Sequence, residues 1–309
     1  MLRQHLPQFL PAMRGHVQLL VLFVHSVIEP AAARTQSRAT NVVDEATTNV
    51  VAGSSAQVTT RRPTFHHGTG RYNLTNPDGV LRPSNGSAPR TWAQNGQDLY
   101  LDSIFRGRHG GVFMEIGGFD GETFSNTLFF ERERGWGGLL IEANPIAFSQ
   151  IVQRDRQCLA VHACIGDAPN ITLHLAGGRT TSSEVLSRDQ ARRMHRDAFR
   201  AVPKHDGSGK TPLRDTRSWE GYGTKHVVSC YPVKLLLHWA EISRIDLLSV
   251  DMEGSEMILL RQFPWGAVPV ETVLIEAQYK AAEIEAVMVS HGYCQVGQVG
   301  QDAVYSRRA

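Results

Sequence analysis

A short apolar run that ends in an acidic, glycine-rich turn constrains this chain more than any other stretch. The run Val112–Ile116 is typical of a buried parallel strand. Gly117 and Gly121 follow it, and their missing Cβ atoms allow sharp bends and close approach to a ligand. Residues 123–132 then place apolar side chains on one face of a predicted helix. This order predicts a ligand site at the carboxyl edge of an α/β sheet, although a tight turn without a ligand is the alternative.

The negative charge of the turn restricts the kinds of ligand that it can bind. Glu115, Asp120 and Glu122 would repel a pyrophosphate, and the glycine spacing differs from the Gly-x-Gly-x-x-Gly pattern of NAD sites. The same carboxylates suit a positively charged ligand that carries hydroxyl groups. A nucleotide-binding oxidoreductase would share this fold, but its first glycine turn should not be so acidic.

A second apolar run ends in Glu142, about 20–30 residues after the first turn. A carboxylate at this position is suited to bind both hydroxyls of a ribose. Asn144 and Pro145 follow, and they are also typical of a strand that simply ends before a helix.

The pattern Glu115-x-Gly117-x-x-x-Gly121, followed by Glu142, resembles class I S-adenosylmethionine-dependent methyltransferases. With three further stretches, 94–98, 131–136 and 245–256, it resembles the FkbM-type methyltransferase domain from about Trp92 to Tyr305. No family pattern is recognisable over 175–226. The resemblance implies S-adenosyl-L-methionine as the cofactor and the following cofactor-binding residues: Gln97, Glu115, Gly117, Asp120, Gly121, Glu142, Asn144, Asp167 and Asp251.

Two of the implied contacts have structural alternatives. The resemblance places Gln97 and Asp98 over the cofactor, whereas Asp98 alone is equally typical of a helix cap. It also places Asp167 beside the adenine, where an Asp that merely forms a turn is the alternative.

Asp251 and Glu253 follow a predicted strand at 245–250 and are the predicted catalytic residues. Alternate residues of a strand share a face, so both can reach the same cleft. One carboxylate could act as general base on an acceptor hydroxyl, the pair could bind Mg²⁺, or both could only shape the pocket. Because only two clear ligands are visible, no metal site is predicted.

Strands and helices alternate along the chain. Strands are predicted at 112–116, 138–142, 159–167, 245–250 and 272–276, and a terminal hairpin at 293–305. Parallel strands need crossover helices, so the alternation predicts a Rossmann-like doubly wound, mostly parallel α/β sheet with a C-terminal antiparallel hairpin. Residues 177–226 are a basic insertion with a predicted helix at 187–201. They are expected to form a lid that binds the acceptor, the alternative being a solvated face.

The N-terminal third has a different character. Residues 1–33 combine early arginines, an apolar run at 17–28 and a small-residue exit, which predicts a secretory signal peptide. The run is short for a bilayer span of ~20 residues, so a membrane anchor through 17–28 is the alternative, and a mitochondrial presequence is a further one. Residues 34–90 are predicted to be a disordered stem, and 91–309 the methyltransferase domain.

Sequons at Asn73, Asn85 and Asn170 favour the secretory pathway, with a membrane-anchored protein bearing a lumenal domain as the alternative. The four cysteines permit two disulfides or scattered buried thiols, and no pairing is assigned.

Composition limits the function further. The formal charge of +2 over 309 residues is too small to indicate a nucleic-acid partner. The expected partners are S-adenosylmethionine and a hydroxyl-bearing acceptor, and the expected reaction is O-methylation of a carbohydrate or small metabolite. The alternative is a catalytically silent lumenal scaffold of the same fold in secretory transport.

Overall fold

The fold is given by a computed structural model that describes residues 47–49, 59–77, 79, 90–176, 179–182, 224–278 and 280–308. All of them belong to the compact unit Asn41–Ala309. The predicted signal peptide, the sequon at Asn85, the predicted helix at 187–201 and most of the basic insertion lie outside these ranges.

The described residues form fourteen strands. They are β1 (Thr47–Asn49), β2 (Thr59–Arg61), β3 (Phe65–His67), β4 (Val112–Ile116), β5 (Gly137–Glu142), β6 (Leu159–His162), β7 (Cys164–Ile165), β8 (Asn170–Ala176), β9 (Arg179–Ser182), β10 (Thr224–Tyr231), β11 (Ile245–Val250), β12 (Val270–Glu276), β13 (Tyr293–Val299) and β14 (Asp302–Arg307).

Six helices are described. They are α1 (Gln97–Ile104), α2 (Leu128–Arg134), α3 (Pro145–Arg154), α4 (Val233–Trp239), α5 (Glu256–Gln262) and α6 (Ala281–Ser290). The start of α3 shows how locally the sequence sets a boundary: Asn144 accepts from the backbone N–H groups of Ile146 and Ala147, and Pro145 occupies the first turn. Within the described ranges, no helix is both long and apolar enough to cross a membrane.

The large sheet has the strand order β13-β14-β12-β11-β4-β5-β6-β3. Its five central strands, from β12 to β6, pair in parallel. The hairpin β13–β14 and the edge strand β3 pair antiparallel. The predicted doubly wound, mostly parallel sheet with a C-terminal antiparallel hairpin is therefore confirmed.

The centre of the large sheet is buried on both faces, as helices on either side of a parallel sheet require. In β4, Met114 and Ile116 belong to the apolar cluster on one face of the sheet. Phe113, the neighbour of Met114 in the strand, belongs to the cluster on the other face. The alternation follows from the two-residue period of a strand.

The order of the strands creates a crevice. From β4 the chain proceeds outward through β5 and β6, and it later returns to the other side of β4 with β11 and β12. At such a reversal the loops after neighbouring strands diverge, which leaves a cleft at the carboxyl ends of β4 and β11.

A smaller sheet flanks this edge. It has the order β7-β10-β8-β9, and a disulfide between Cys164 and Cys230 joins β7 to β10. Cys158 and Cys294 are free thiols. Of the two disulfides that the cysteine count permits, the described structure therefore contains one.

Three predicted boundaries differ from the structure. The helix expected from Thr123 begins at Leu128, because the side chains of Ser125 and Glu115 accept the backbone N–H groups that an earlier helix would use. The strand expected over 159–167 breaks at Ala163, and its second part pairs with β10 instead.

The folded part also begins earlier than the predicted boundary near Thr91. Residues of β3 pair with β6 at the edge of the large sheet, and Thr75 donates to the buried Glu122 through both its N–H and its hydroxyl. A part of the predicted stem is therefore structured, because an otherwise open sheet edge offers it backbone hydrogen bonds.

Candidate active site

A cavity of about 600 Å³ occupies the crevice at the carboxyl edge of the large sheet. Its walls come from the ends of β4, β5, β11 and β12, from the start of the small sheet and from the turn before β14. The volume is within the range of ~300–1,000 Å³ that small-molecule and cofactor sites occupy.

Gly117 allows the two central strands to meet at the floor of the cavity. Its φ of +82° is in the left-handed region, and a Cβ there would overlap the backbone oxygen of Asp251. Its N–H donates to the carbonyl oxygen of Ile141, 2.9 Å away. The glycine is thus required by both its dihedral angle and its closeness to β11.

Glu115 organises the loop after this turn. Its carboxylate accepts from the N–H of Asn126 at 2.7 Å and from the hydroxyls of Thr127 at 2.6 Å and Ser125 at 3.0 Å. The guanidinium of the buried Arg156 lies 3.6 Å from Glu115. A buried carboxylate needs such pairing, so Glu115 both lines the cavity and anchors the segment that leads to α2.

Arg156 continues this network away from the cavity. It contacts Glu131 at 3.0 Å and donates to the carbonyl oxygen of Gly121 at 3.0 Å. Both ends of the glycine turn are therefore tied to one buried cation.

Glu142 ends β5 with its carboxylate in the cavity wall. One oxygen accepts from the N–H of Phe119 at 2.8 Å and the other from the N–H of Asn144 at 2.7 Å. Burial raises the pKa of Glu142 to about 7, although these hydrogen bonds oppose the shift. The two bonds fix the carboxylate in one orientation at the predicted ribose position.

Asp251 lies at the end of β11, where its backbone N–H donates to the carbonyl oxygen of Ile116. Its side chain lines the cavity and is exposed to the water inside it. The cavity walls and four negatively charged side chains lie around it: Glu276, Glu253, Asp302 and Glu256. Loss of bulk solvent, followed by these charges, raises the pKa of Asp251 well above its usual value. The carboxyl group is therefore a better proton acceptor, when ionised, than a surface aspartate.

Glu256 fixes the loop that carries Asp251 and Glu253. It is buried at the start of α5 and accepts from the N–H groups of Met252 at 3.1 Å and Gly254 at 2.9 Å. Glu253 has a φ of +50°, a left-handed conformation that this tight loop imposes.

The structure brings most of the predicted residues together but not all of them. Those that line the cavity are Gln97, Glu115, Gly117, Glu142, Asp167, Asp251 and Glu253. Three others, Asp120, Gly121 and Asn144, are not among its lining residues. Asp120 accepts from the backbone N–H groups of Glu122 and Thr123 and pairs with Arg154, and Asn144 caps α3.

Asp98 also lies off the cavity wall. Its carboxylate accepts from the hydroxyl of Thr91 at 2.6 Å and from the N–H of Trp92 at 2.9 Å. It therefore joins α1 to the segment before it from inside the first turn, and it does not cap the helix, because the N-cap residue is Gly96 and no side chain caps it.

Several lining residues were missed by the sequence reasoning. They are Asn126, Ser249, Glu276, Gln278, Gln301 and Asp302. Glu276 ends β12 in the way that Glu142 ends β5, so the rule that found Glu142 could have found it. Asp302 enters through the antiparallel pairing of β14 with β12, which has no local sequence signal.

The described lining is strongly acidic. It contains seven carboxylate side chains and no lysine, arginine or histidine. They are Glu115, Glu142, Asp167, Asp251, Glu253, Glu276 and Asp302. Within the described residues, no group of three or more His, Cys, Asp and Glu side chains is arranged to hold a metal ion.

The family model for the methyltransferase FkbM domain matches residues 115–294. The match covers more than half of the chain and includes the glycine turn, Glu142 and Asp251. The chain therefore belongs to the FkbM methyltransferase family, whose members are S-adenosylmethionine-dependent methyltransferases. A search among curated proteins finds no matching relative.

Three solved structures to which this chain is similar are described as methyltransferases. A precorrin-6y C5,15-methyltransferase from Geobacter metallireducens is 10% identical, with a TM-score of 0.36, over 75% of this chain and 99% of that chain. A SAM-dependent methyltransferase from Geobacter sulfurreducens, in complex with S-adenosyl-L-homocysteine, is 12% identical, with a TM-score of 0.29, over 68% and 69%. One from Thiobacillus denitrificans, in the same complex, is 13% identical, with a TM-score of 0.29, over 71% and 73%.

The residues present fit S-adenosylmethionine. The acidic lining suits a ligand with a positively charged sulfonium and amino group, and it disfavours a pyrophosphate. In the described structure the buried side-chain oxygen of Asn126, a lining residue, has no hydrogen-bond partner, so a ligand donor could satisfy it.

Proposed function

We propose that this methyltransferase transfers the methyl group to a hydroxyl oxygen of a carbohydrate or small metabolite. The observation that carries the proposal is the position of Asp251, a carboxyl group with a raised pKa at the carboxyl end of β11, inside the acidic cavity. A hydroxyl acceptor must lose a proton when its oxygen forms the new bond to carbon, and Asp251 is suited to receive that proton.

The chain's own residues would hold the cofactor along the ends of β4 and β5. Glu142 would accept from the ribose hydroxyls, and Gly117 leaves room at the turn. Asp167, exposed at the cavity rim, would accept from the adenine amine. S-adenosylmethionine would supply an electrophilic methyl group on a positively charged sulfur.

Glu253 and Glu276 would act with Asp251 at the methyl-donor end. Their charges keep this end of the cavity negative, which favours the sulfonium before transfer. Alignment of the acceptor oxygen with the methyl group supplies most of the remaining rate enhancement in such reactions, so a second strong base is unnecessary.

The proposed role of Asp251 predicts a specific loss of turnover. Asp251→Asn keeps the size of the side chain but removes its charge, and it should reduce methyl transfer by roughly 10²-fold or more. Glu253→Gln should have a smaller effect. Turnover is measured by mass spectrometry of methylated acceptors, after a hydroxyl-bearing acceptor has been found by screening.

S-adenosylmethionine affinity serves as the control, because Asp251→Asn should change it much less than turnover. Full turnover by a folded Asp251→Asn protein would show that the chemistry does not depend on this strand end. Binding of the cofactor without transfer to any acceptor would instead favour the scaffold alternative.

We also propose that the protein enters the secretory pathway and acts in the lumen or outside the cell. The disulfide between Cys164 and Cys230 supports this, since disulfides persist mainly in oxidising compartments. Asn73 and Asn170 are both exposed, so their sequons are open to glycosylation. A membrane anchor through 17–28 remains the alternative form of the same proposal.

A further inference from the structure

A second cavity, of about 330 Å³, lies beside the first. It is formed between the hairpin β13–β14 and the start of α6, and Gln278 and Gln301 line both cavities. The two cavities are therefore neighbours that share part of a wall.

A β-bulge builds the floor of the second cavity. Tyr305 and Ala303 are two residues apart and share one face of β14, and their partners on β13 are Gln295 and Gln298. Residues three apart would normally point to opposite faces. The bulge between Gln295 and Gly297 adds one residue and brings both glutamines to the same face.

The polar groups of this cavity are mostly amides. They belong to Gln278, Gln295, Gln298 and Gln301; the other polar side chains among the described lining residues are those of Tyr305 and Glu285, and only Glu285 is charged. Gln295 and Gln298 each donate to a carbonyl oxygen of the hairpin, at 3.2 Å and 3.3 Å, which orients the amide groups. A primary amide both donates and accepts hydrogen bonds, and so does a hydroxyl group.

The backbone holds the boundary between the two cavities in place. The N–H of Ala277 donates to the carbonyl oxygen of Gln301 at 3.0 Å, and Glu276 pairs in register with Asp302. Glu276 and Asp302 line the first cavity at the Asp251 end. A molecule bound among the glutamines would therefore contact Gln278 and Gln301, which also line the cavity that contains the proposed proton acceptor.

From this geometry we infer that the second cavity is the acceptor subsite and that it binds a neutral, polyhydroxylated molecule such as a sugar. The inference rests on the proposed function, and it adds the place and the charge of the acceptor. Neutral amides, in contrast to arginine or lysine, offer no pairing for an anionic group, so uncharged sugars are favoured over sugar acids.

Saturation-transfer NMR on the full chain, saturated with S-adenosylhomocysteine, tests this inference. The probes are glucose, galactose, mannose and xylose, with glucuronate as the anionic comparison. At least one neutral sugar should show saturation transfer. The signal should fall about fivefold or more in a Gln295→Met and Gln298→Met double variant, as expected for lost hydrogen bonds. Gln150→Met, an exposed glutamine on α3, is the matched control and should keep the signal.

Calorimetry with S-adenosylhomocysteine on the same proteins distinguishes a failure of the proposed subsite from a failure of the proposed function. Equal affinity in all three proteins, together with the expected sugar signals, supports the subsite. Normal affinity with no neutral-sugar signal, with signals only from glucuronate, or with undiminished signals in the double variant would overturn it. No affinity for S-adenosylhomocysteine in the wild-type chain would overturn the proposed function itself.

Discussion

At the scale of single residues, the site depends on carboxyl groups held where ionisation is costly. Glu142 is 7% exposed and has both oxygens bound to backbone N–H groups, yet its pKa is about 7. Asp251 and Asp302 also have raised pKa values, mainly because the cavity walls replace part of the bulk solvent around their carboxyl groups. A fold gains no stability from such groups, so their presence in one cavity is typical of a binding or catalytic site.

The raised pKa of Glu142 predicts how stability depends on pH. Between 4.5 and about 7 the folded protein keeps a proton that the unfolded chain has lost, so the free energy of unfolding falls as pH rises through this window. The loss from this one group is up to about 3 kcal/mol. Glu142→Gln should remove this loss. The free energy of unfolding of the variant should therefore rise relative to that of the wild type between about pH 5 and about pH 8.

Urea unfolding at both pH values checks this prediction. Glu283→Gln, at an exposed position on α6, is the control and should follow the wild type. If the wild type and Glu142→Gln lose the same free energy over the window, the carboxyl group of Glu142 has an ordinary pKa.

At the scale of elements, the turn after β4 decides the shape of the site. It is held by Gly117 against β11, by Glu115 through the loop to α2, and by Arg156 through the carbonyl of Gly121. A parallel sheet alone would leave only a generic cleft at this edge.

Two glycines with similar φ angles allow two energetic costs to be measured separately. One is the cost of the close contact between Gly117 and the backbone of Asp251, and the other is the cost of a left-handed φ angle. Gly117 has a φ of +82° and Gly107 a φ of +70°, but a Cβ at Gly107 would meet nothing within 4 Å. Both Ala variants carry the left-handed penalty of ~1–2 kcal/mol. Gly117→Ala should lose ~1–3 kcal/mol more, because its Cβ would overlap the backbone of Asp251.

Chemical unfolding of the two variants gives this difference directly. S-adenosylhomocysteine affinity should also fall in Gly117→Ala and not in Gly107→Ala. Equal destabilisation of the two proteins would mean that β4 and β11 are not in close contact at the turn.

Much of this arrangement was predictable because it is encoded locally. The apolar runs that end in Glu142 and Asp251 predict parallel strands, and the two acidic residues mark the carboxyl edge of the sheet. The exact start of α2 was not predictable, since it depends on Glu115 accepting the backbone N–H of Asn126, eleven residues along the chain. Asp302 and the cluster of glutamines depend on strand pairing and on a bulge, which join residues that are distant in sequence or shift a face by one position.

At the scale of the whole molecule, the disulfide makes the stability of the cavity wall depend on the redox conditions around the protein. Cys164 lines the cavity and is bonded to Cys230, 66 residues later in the chain. A loop of this length is expected to contribute roughly 4 kcal/mol to stability by restricting the unfolded chain. A reducing compartment would withdraw that contribution from one wall of the site.

The proposed secretory route therefore has a combined test. The full chain made by secreting eukaryotic cells should begin near Arg34, shift on a gel after glycosidase treatment and yield a linked Cys164–Cys230 peptide. Reductant should lower its melting temperature, and Cys294→Ser, which removes a free thiol, should leave that response unchanged. An intact N-terminus on membrane-bound protein would favour the anchor. A cytosolic, unglycosylated protein with reduced cysteines would contradict the proposal.

Binding of S-adenosylmethionine at the carboxyl edge of the sheet is the central claim, and titration calorimetry tests it most directly. The wild-type chain should bind with one site. Glu142→Ala should weaken binding by about tenfold or more, as expected when hydrogen bonds to a buried charged group are lost. Glu283→Ala should bind like the wild type. Undetectable binding by the wild type, or an unchanged affinity in a folded Glu142→Ala protein, would contradict the account.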